Sequence, residues 1–219
     1  MVSSLNVYKD QIIYLRKKLL LWFGKNRRDY PWRNTSDPYS VLMAELMLRR
    51  TRADQVVPVY RSFLSSYPDI VSLMHAKSEH VDGLTASLGL HWRRDAFQLV
   101  AKDVMEQYGG KIPDSRVKLL QLSGVGDYVA GAVLSCAYHK KEWIVDTNVV
   151  RIFKRFLGIE TSKEGRRDRL VIELAKMYAD CARPKEANLA LLDFAALVCT
   201  ARKPEHDTCP LLKKCQLMI

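Results

Sequence analysis

Leu122-Ser123-Gly124-Val125-Gly126-Asp127-Tyr128 is the stretch on which the reading of this chain turns. Two glycines flank one apolar residue, so the backbone can turn tightly with Val125 pointed inward and bare N–H groups left on Gly124 and Gly126. Leu119-x-x-Leu122 precedes the turn and an apolar helical pattern follows it at once. The unsatisfied N–H groups at the start of that second helix, together with its positive dipole end, favour a phosphate. Two short helices joined in this way, about 116–138, form a helix-hairpin-helix, a clamp for the DNA backbone that does not read bases. A plain helix-to-helix turn uses the same residues, so the motif needs support from the rest of the chain.

Outward from the hairpin the helical period recurs along the sequence. From Gln11 to Phe23 the residues Ile12, Leu15, Leu19, Leu20 and Phe23 return at three- and four-residue steps. One stripe is therefore buried, and Arg16, Lys17 and Lys18 are solvated. Asp37-Pro38 supplies an N-cap followed by proline at the first helical position, opening a helix through Val41, Leu42, Leu46 and Leu48. Further patterns predict helices over 53–66, 78–88, 92–108, 117–122, 127–138, 147–157, 166–181 and 185–199. Nothing alternates with period two for long enough to build a sheet. The fold class is all-α, with about ten helices and a short cysteine-bearing tail.

The 219 residues carry 35 Lys and Arg against 24 Asp and Glu, a net charge of +11, and 48% are apolar. That apolar share excludes a disordered basic tail and leaves a globular chain with one core or two small ones. Lys or Arg interrupts every apolar run, so none reaches the roughly 20 residues of a membrane helix and no membrane partner is expected. Asp10, Gln11, Arg16, Lys17 and Lys18 break up the N-terminal apolar residues, which excludes a signal peptide. The expected location is intracellular, cytoplasmic and associated with the nucleoid. An excess of +11 points to a polyanionic partner, although a globular protein with a basic surface gives the same sum. Five cysteines are too few for a disulfide scaffold, and three of them, Cys199, Cys209 and Cys215, crowd into the last 21 residues, which suggests a metal site.

Further on comes Trp143-Ile144-Val145-Asp146-Thr147-Asn148-Val149-Val150-Arg151, with Asp146 twenty residues beyond Gly126. Asp146 reads as an N-cap for the helix starting near Thr147. It also reads as the negative charge that a base-excising enzyme needs, because breaking an N-glycosidic bond builds positive charge on the sugar. The two roles are compatible.

Leu122 to Tyr128 together with Val145 to Arg151 resembles the helix-hairpin-helix, Gly/Pro-Asp superfamily of DNA glycosylases, in its endonuclease III and MutY-like branch. Arg28-Asp29-Tyr30-Pro31-Trp32-Arg33, Asp37-Pro38-Tyr39 and Glu45-Leu46-Met47-Leu48-Arg49-Arg50-Thr51 are similar to the opening of MutY-like and archaeal mismatch-specific thymine glycosylases. Asn188 to Cys199, with Leu192-Asp193-Phe194-Ala195, resembles the helix that enters their iron–sulfur loop. The resemblance runs from about Arg27 to Cys215. It implies a six-helix barrel at 28–139 containing the hairpin, and a second helical domain built from both chain ends, 1–27 and 140–219, with a cluster loop at 199–215. It further implies a monomer acting on double-stranded DNA with a mismatched or damaged base, whose target nucleotide is flipped into a pocket between the two domains.

In endonuclease III-like lyases a lysine stands two residues after the second glycine and forms a Schiff base with the sugar. This sequence has Tyr128 there, and a phenol cannot form that imine. The resemblance therefore implies a monofunctional glycosylase, without strong lyase activity, that uses water and in which Tyr128 lines the pocket; simple packing at a helix start is the other reading. Glu45 lies on the stripe of Val41, Leu42 and Leu48, where a carboxylate is rarely left without a partner. In MutY-like enzymes the matching glutamate protonates adenine, in the thymine-specific relatives it lines the pocket, and a buried salt bridge is the structural alternative.

MutY-like enzymes usually carry Gln-Gln-Thr where this chain has Arg49-Arg50-Thr51, and they add a C-terminal domain that reads 8-oxoguanine. The sequence ends four residues after Cys215, and no such domain is expected. These departures resemble the enzymes that remove thymine or uracil from G:T and G:U mismatches. By position, Arg49 fills the hole left by the extruded base and donates to the orphaned guanine, with Arg50 beside it, while Leu90 and His91 lie on a loop that wedges into the duplex. Surface arginines would need no such explanation.

The family's cluster spacing is Cys-x6-Cys-x2-Cys-x5-Cys, and this chain reads Cys199-x6-His206-x2-Cys209-x5-Cys215. Three thiolates and an imidazole can hold a [4Fe–4S] cluster, the favoured reading, or tetrahedral zinc; an empty loop is the third possibility. Lys203, Lys213 and Lys214 suit a loop pressed against DNA, and Cys136 and Cys181 read as ordinary buried residues. The resulting expectation is hydrolytic removal of mispaired thymine or uracil, with Asp146, Tyr128 and Glu45 forming the catalytic set. The alternatives are an adenine glycosylase and a protein that binds distorted DNA without excising a base; the two carboxylates facing a polyanion argue against the latter.

Overall fold

The computed structural model describes residues 5–89 and 94–218, the side chain of Arg94 apart, and no strand occurs among them. Leu90 and His91 lie outside the described residues. The fold is all-α. By contacts the chain divides into two compact units, one of residues 29–138 and one of residues 1–28 with 139–219. No helix among the described residues is long and apolar enough to cross a membrane.

The chain begins with α1 (Lys9–Asn26), which belongs to the other unit; the 29–138 unit then holds α2 (Pro38–Leu48), α3 (Ala53–Ser66), α4 (Ile70–Met74), α5 (Ser78–Thr85), α6 (Arg94–Tyr108), α7 (Arg116–Leu119) and α8 (Asp127–Cys136). Asp37 caps α2 as its sequence implies, accepting from the Ser40 N–H at 2.8 Å while Pro38 takes the first helical position. The sequence suggests a single apolar stripe on α2, but Tyr39 and every residue from Val41 to Met47 are buried. Such a helix sits inside the unit rather than on its surface. It packs on α3 and α8. α8 is likewise buried from Val129 to Cys136, and Ala130, Gly131 and Ala132 let neighbouring backbones come close. α4, α5 and α6 pack together, with Leu73, Val81, Phe97, Val100 and Val104 buried, each contributing roughly 2 kcal/mol of apolar burial.

The other unit holds α1, α9 (Thr147–Leu157), α10 (Arg169–Ala179) and α11 (Pro184–Leu197). The α1 stripe of Ile12, Leu15, Leu19 and Phe23 is buried against α10 and α11. Phe153, Phe156, Tyr178 and Phe194 fill the same core. Asp168 caps α10, accepting from the Leu170 and Val171 N–H groups, so the helix starts at Arg169 and not at 166. Arg16 closes its far end, donating from Nη1 to the carbonyls of Met177, Tyr178 and Asp180 at 3.0, 3.0 and 3.1 Å. Those carbonyls have no further helical turn to accept from, and the cation sits at the negative dipole end. Asp193 on α11 is fully buried and holds Arg28, with Nε to Oδ1 at 2.6 Å and the backbone N–H to Oδ2 at 2.9 Å.

Candidate active site

The hairpin adopts the turn that its glycines permit. The Val125 N–H donates to the Leu122 carbonyl at 3.1 Å, Val125 is buried, and Gly124 has φ of +75°, where a side chain would be strained. Gly126 then caps α8 in an extended conformation and offers no side-chain oxygen to the N–H groups of the first turn. Helices α2, α7, α9 and α10 have Asp or Ser at that place, each accepting from the first turn. The start of α8 thus keeps its dipole end open for an anion.

Three charged side chains of the same unit hold the hairpin. Arg49, at the C-terminal end of α2, donates from Nη1 to the Gly124 carbonyl at 3.3 Å. Asp103 of α6 accepts from the Ser123 N–H at 2.6 Å. Arg116 donates to the backbone carbonyl of Asp127 at 2.9 Å and to its carboxylate at 3.3 Å. Arg49 is half-buried; Arg50 is exposed and sits at φ of +57°, a conformation that side chains rarely take. Thr51 Oγ1 donates toward the carbonyls of Arg49 and Leu88, both at 3.4 Å. Tyr128 is half-buried in the first turn of α8, and Glu45 is 9% exposed in the middle of α2, the helix that packs on α8.

Asp146 belongs to the other unit and caps α9, as one of its two sequence readings has it. Its Oδ1 accepts from the Asn148 and Val149 N–H groups at 2.9 and 2.8 Å, and its Oδ2 accepts from Asn148 Nδ2 at 2.6 Å. Asn148 is itself oriented by Arg151, whose Nη1 donates to Oδ1 at 3.0 Å. The same guanidinium reaches the Cys199 carbonyl through Nε and the Ala195 carbonyl through Nη2, each at 3.0 Å. The capping aspartate and the first cysteine of the tail are thereby joined through two side chains.

Cys199, His206, Cys209 and Cys215 line one cavity together with Arg155. Arg155 donates from Nη1 to Cys199 Sγ at 3.5 Å and to the Thr200 carbonyl at 2.7 Å, and from Nη2 to the Ala201 carbonyl at 2.9 Å. Burial pushes the Cys209 and Cys215 thiols up from their ordinary range. Among the described residues no three His, Cys, Asp or Glu side chains are grouped to hold a single metal ion. Lys214 places its ammonium 4.6 Å from the centre of the Tyr14 ring. Cys136 is buried, whereas Cys181, read as buried from sequence, is only half so.

Sequence reasoning did not single out Asp103, Arg116, Asn148, Arg151 or Arg155. Asn148 and Arg151 stand within the stretch around Asp146, but their partners Ala195 and Cys199 lie on a distant segment.

Comparison with known proteins follows the same lines. A model of the HhH-GPD superfamily of base excision DNA repair proteins matches residues 43–178. The chain is 40% identical to a thymine-DNA glycosylase of Aeropyrum pernix, over 94% of its own length and 95% of the relative's. It is 33% identical to a thymine/uracil-DNA glycosylase of Methanothermobacter thermautotrophicus, covering 94% of each. An adenine DNA glycosylase of Homo sapiens is 33% identical over 98% of this chain but only 42% of that protein. The solved structure of a thermostable thymine-DNA glycosylase superposes with a TM-score of 0.91 at 31% identity, covering 95% of this chain and 97% of that one. With a family model across more than half its length and full-length relatives at this identity, the chain belongs to the HhH-GPD superfamily of base excision DNA repair proteins.

Proposed function

We propose that this protein is a monofunctional DNA glycosylase that hydrolyses the N-glycosidic bond of thymine or uracil mispaired with guanine in double-stranded DNA. The observation that carries the reading is the hydrogen bonding of Asp146. A carboxylate has about four acceptor sites, and Asp146 uses two on Oδ1 and one on Oδ2. Oδ2 therefore keeps one site, in a fixed direction, for water or for the sugar. A plain N-cap has no need of the Asn148 and Arg151 that hold this oxygen.

In the reaction the bond from C1′ to the base nitrogen breaks and its electron pair leaves with the base. Positive charge grows on the sugar, where the Asp146 carboxylate stabilises it. The water oxygen bonds to C1′ and keeps one hydrogen, the other proton passes to Oδ2, and that proton is then given up by way of solvent to the departing base anion, which regenerates the carboxylate. The N–H groups of Gly124 and Gly126 and the open start of α8 hold a phosphate of the strand. Tyr128 and Glu45 recognise the flipped nucleotide, Arg49 and Arg50 face the opposite strand with Arg49 at the orphaned guanine, and the wedge is assigned to Leu90 and His91 from their place in the sequence.

We assign Cys199, His206, Cys209 and Cys215 to a [4Fe–4S] cluster rather than to zinc, on the spacing of the four residues. They line a common cavity. Three thiols and an imidazole are donors that such a cluster accepts. A bound cluster would cross-link these four side chains; the chain's own Arg155 and Arg151 already tie the loop to α9.

The runner-up is adenine excision, favoured by the buried Glu45 and by the adenine glycosylases among the relatives. Asp146→Asn tests the catalytic reading. The variant is expected to lose turnover on a G:T duplex while keeping its affinity for that duplex. Unchanged turnover overturns the assignment of Asp146.

A further inference from the structure

The hairpin's backbone is restrained by side chains that the phosphate-clamp reading does not use. Asp103 and Arg49, of opposite charge and from different helices, take up groups on either side of one peptide. Asp103 accepts the Ser123 N–H at 2.6 Å, and Arg49 donates to the Gly124 carbonyl at 3.3 Å. Between these contacts lies the peptide joining Ser123 to Gly124, whose N–H belongs to Gly124. The Val125 N–H to Leu122 carbonyl bond closes the turn, but Ser123–Gly124 is the turn's central peptide, and with a glycine at φ of +75° that peptide can turn over while the closing bond is kept. The Asp103 contact also answers a backbone need, since a half-buried Ser123 must place its N–H on some acceptor.

We propose that Asp103 is a positioning residue for the phosphate clamp: by holding the Ser123 N–H it fixes, together with Arg49 on the far side, the direction of the Gly124 N–H before DNA arrives. This rests on the reading of the hairpin as the site of DNA backbone binding. Asp103 touches neither DNA nor the reacting atoms. A carboxylate near an anion site would otherwise repel its ligand, and its hydrogen bond to the backbone outweighs that cost by ordering the loop in advance.

Asp103→Ala, Asp103→Asn and Asp103→Ala/Ser123→Pro, with the unaltered chain, separate ordering from charge and from general damage. Affinity for an undamaged duplex is read by fluorescence anisotropy, the thermal midpoint by melting, and excision by single-turnover kinetics at saturating enzyme. Asp103→Ala is expected to bind about tenfold more weakly, the change that ordering one more residue on binding produces. Its midpoint falls by only a few degrees, as the loss of one acceptor for the Ser123 N–H implies, and its saturating excision rate stays near that of the unaltered chain. Asp103→Asn, which can still accept from the N–H, binds nearly as the unaltered chain does. Proline at 123 has no N–H to satisfy and a fixed φ, so it restores affinity in the Asp103→Ala background.

Tighter binding by both single variants would mean that repulsion governs and would overturn the proposal. Unchanged affinity in Asp103→Ala, or a loss of affinity and excision rate together that proline does not restore, would also overturn it. An unaltered chain that binds no duplex DNA would remove the clamp reading itself and the proposal with it, an outcome distinct from a clamp that binds without needing Asp103.

Discussion

Arg151 Nη1 donates to Asn148 Oδ1 at 3.0 Å, and this bond decides which end of the Asn148 amide meets Asp146. With Oδ1 turned toward the guanidinium, Nδ2 is left to donate to Asp146 Oδ2. Asn148→Ala and Arg151→Gln are both expected to slow single-turnover excision by roughly a hundredfold, the scale on which small misplacements of a catalytic group act. Duplex affinity should be little changed. Rates that stay at the level of the unaltered chain in both variants would show that Asp146 needs no such support.

Tyr128→Lys places an amine in the first turn of α8, where the lyases of the resembling branch carry one. The variant is expected to give a covalent enzyme–DNA adduct after borohydride reduction, whereas the unaltered chain gives none. An adduct with the unaltered chain would implicate another amine such as Lys140 or Lys141, although Lys141 is engaged with Asp180 at 2.7 Å.

The proposed cluster can be tested by colour. Protein reconstituted with iron and sulfide is expected to be brown with a visible charge-transfer band, and Cys209→Ser should weaken or abolish it. His206→Cys should keep the band and lower the reduction potential, because a thiolate adds negative charge where imidazole has none. A colourless product that instead retains stoichiometric zinc would replace the cluster with a single ion.

Acid should act on the cap of α10. Hydrogen bonds from the Ser162 N–H first, then from Val171 and Leu170, hold the Asp168 carboxyl below its ordinary 3.8. A carboxyl lowered on folding contributes stability above that ordinary value and loses it as pH falls through the folded one. Melting curves of the unaltered chain should thus decline below about pH 4, and Asp168→Asn should make the decline shallower. An identical acid limb in the variant would assign the decline to other carboxylates.

Much of this was legible from local chemistry. Asp37-Pro38 and the Leu122–Tyr128 turn carry their own start and stop signals, and the helices at 53–66 and 147–157 have the predicted bounds. Ile70–Met74 was not predicted because five residues give no period; its only mark is the capping box between Asp69 and Ser72. The predicted helix at 117–122 ends at Leu119, since Leu122 must turn its carbonyl to Val125 to form the hairpin. Asp146 was visible as both cap and candidate catalyst. The contacts that anchor Arg151 and brace the hairpin were not, because Arg151 reaches Cys199 across 48 positions and Asp103 reaches Ser123 across 20, and neither distance repeats with any helical period.

The rate of base release from four duplexes, containing G:T, G:U, A:G and A:8-oxoguanine, tests the central claim most directly. The account predicts release of thymine and uracil opposite guanine, with strand breakage only after alkali and none with Asp146→Asn. Release of adenine alone, with the G:T and G:U duplexes left intact, would contradict it.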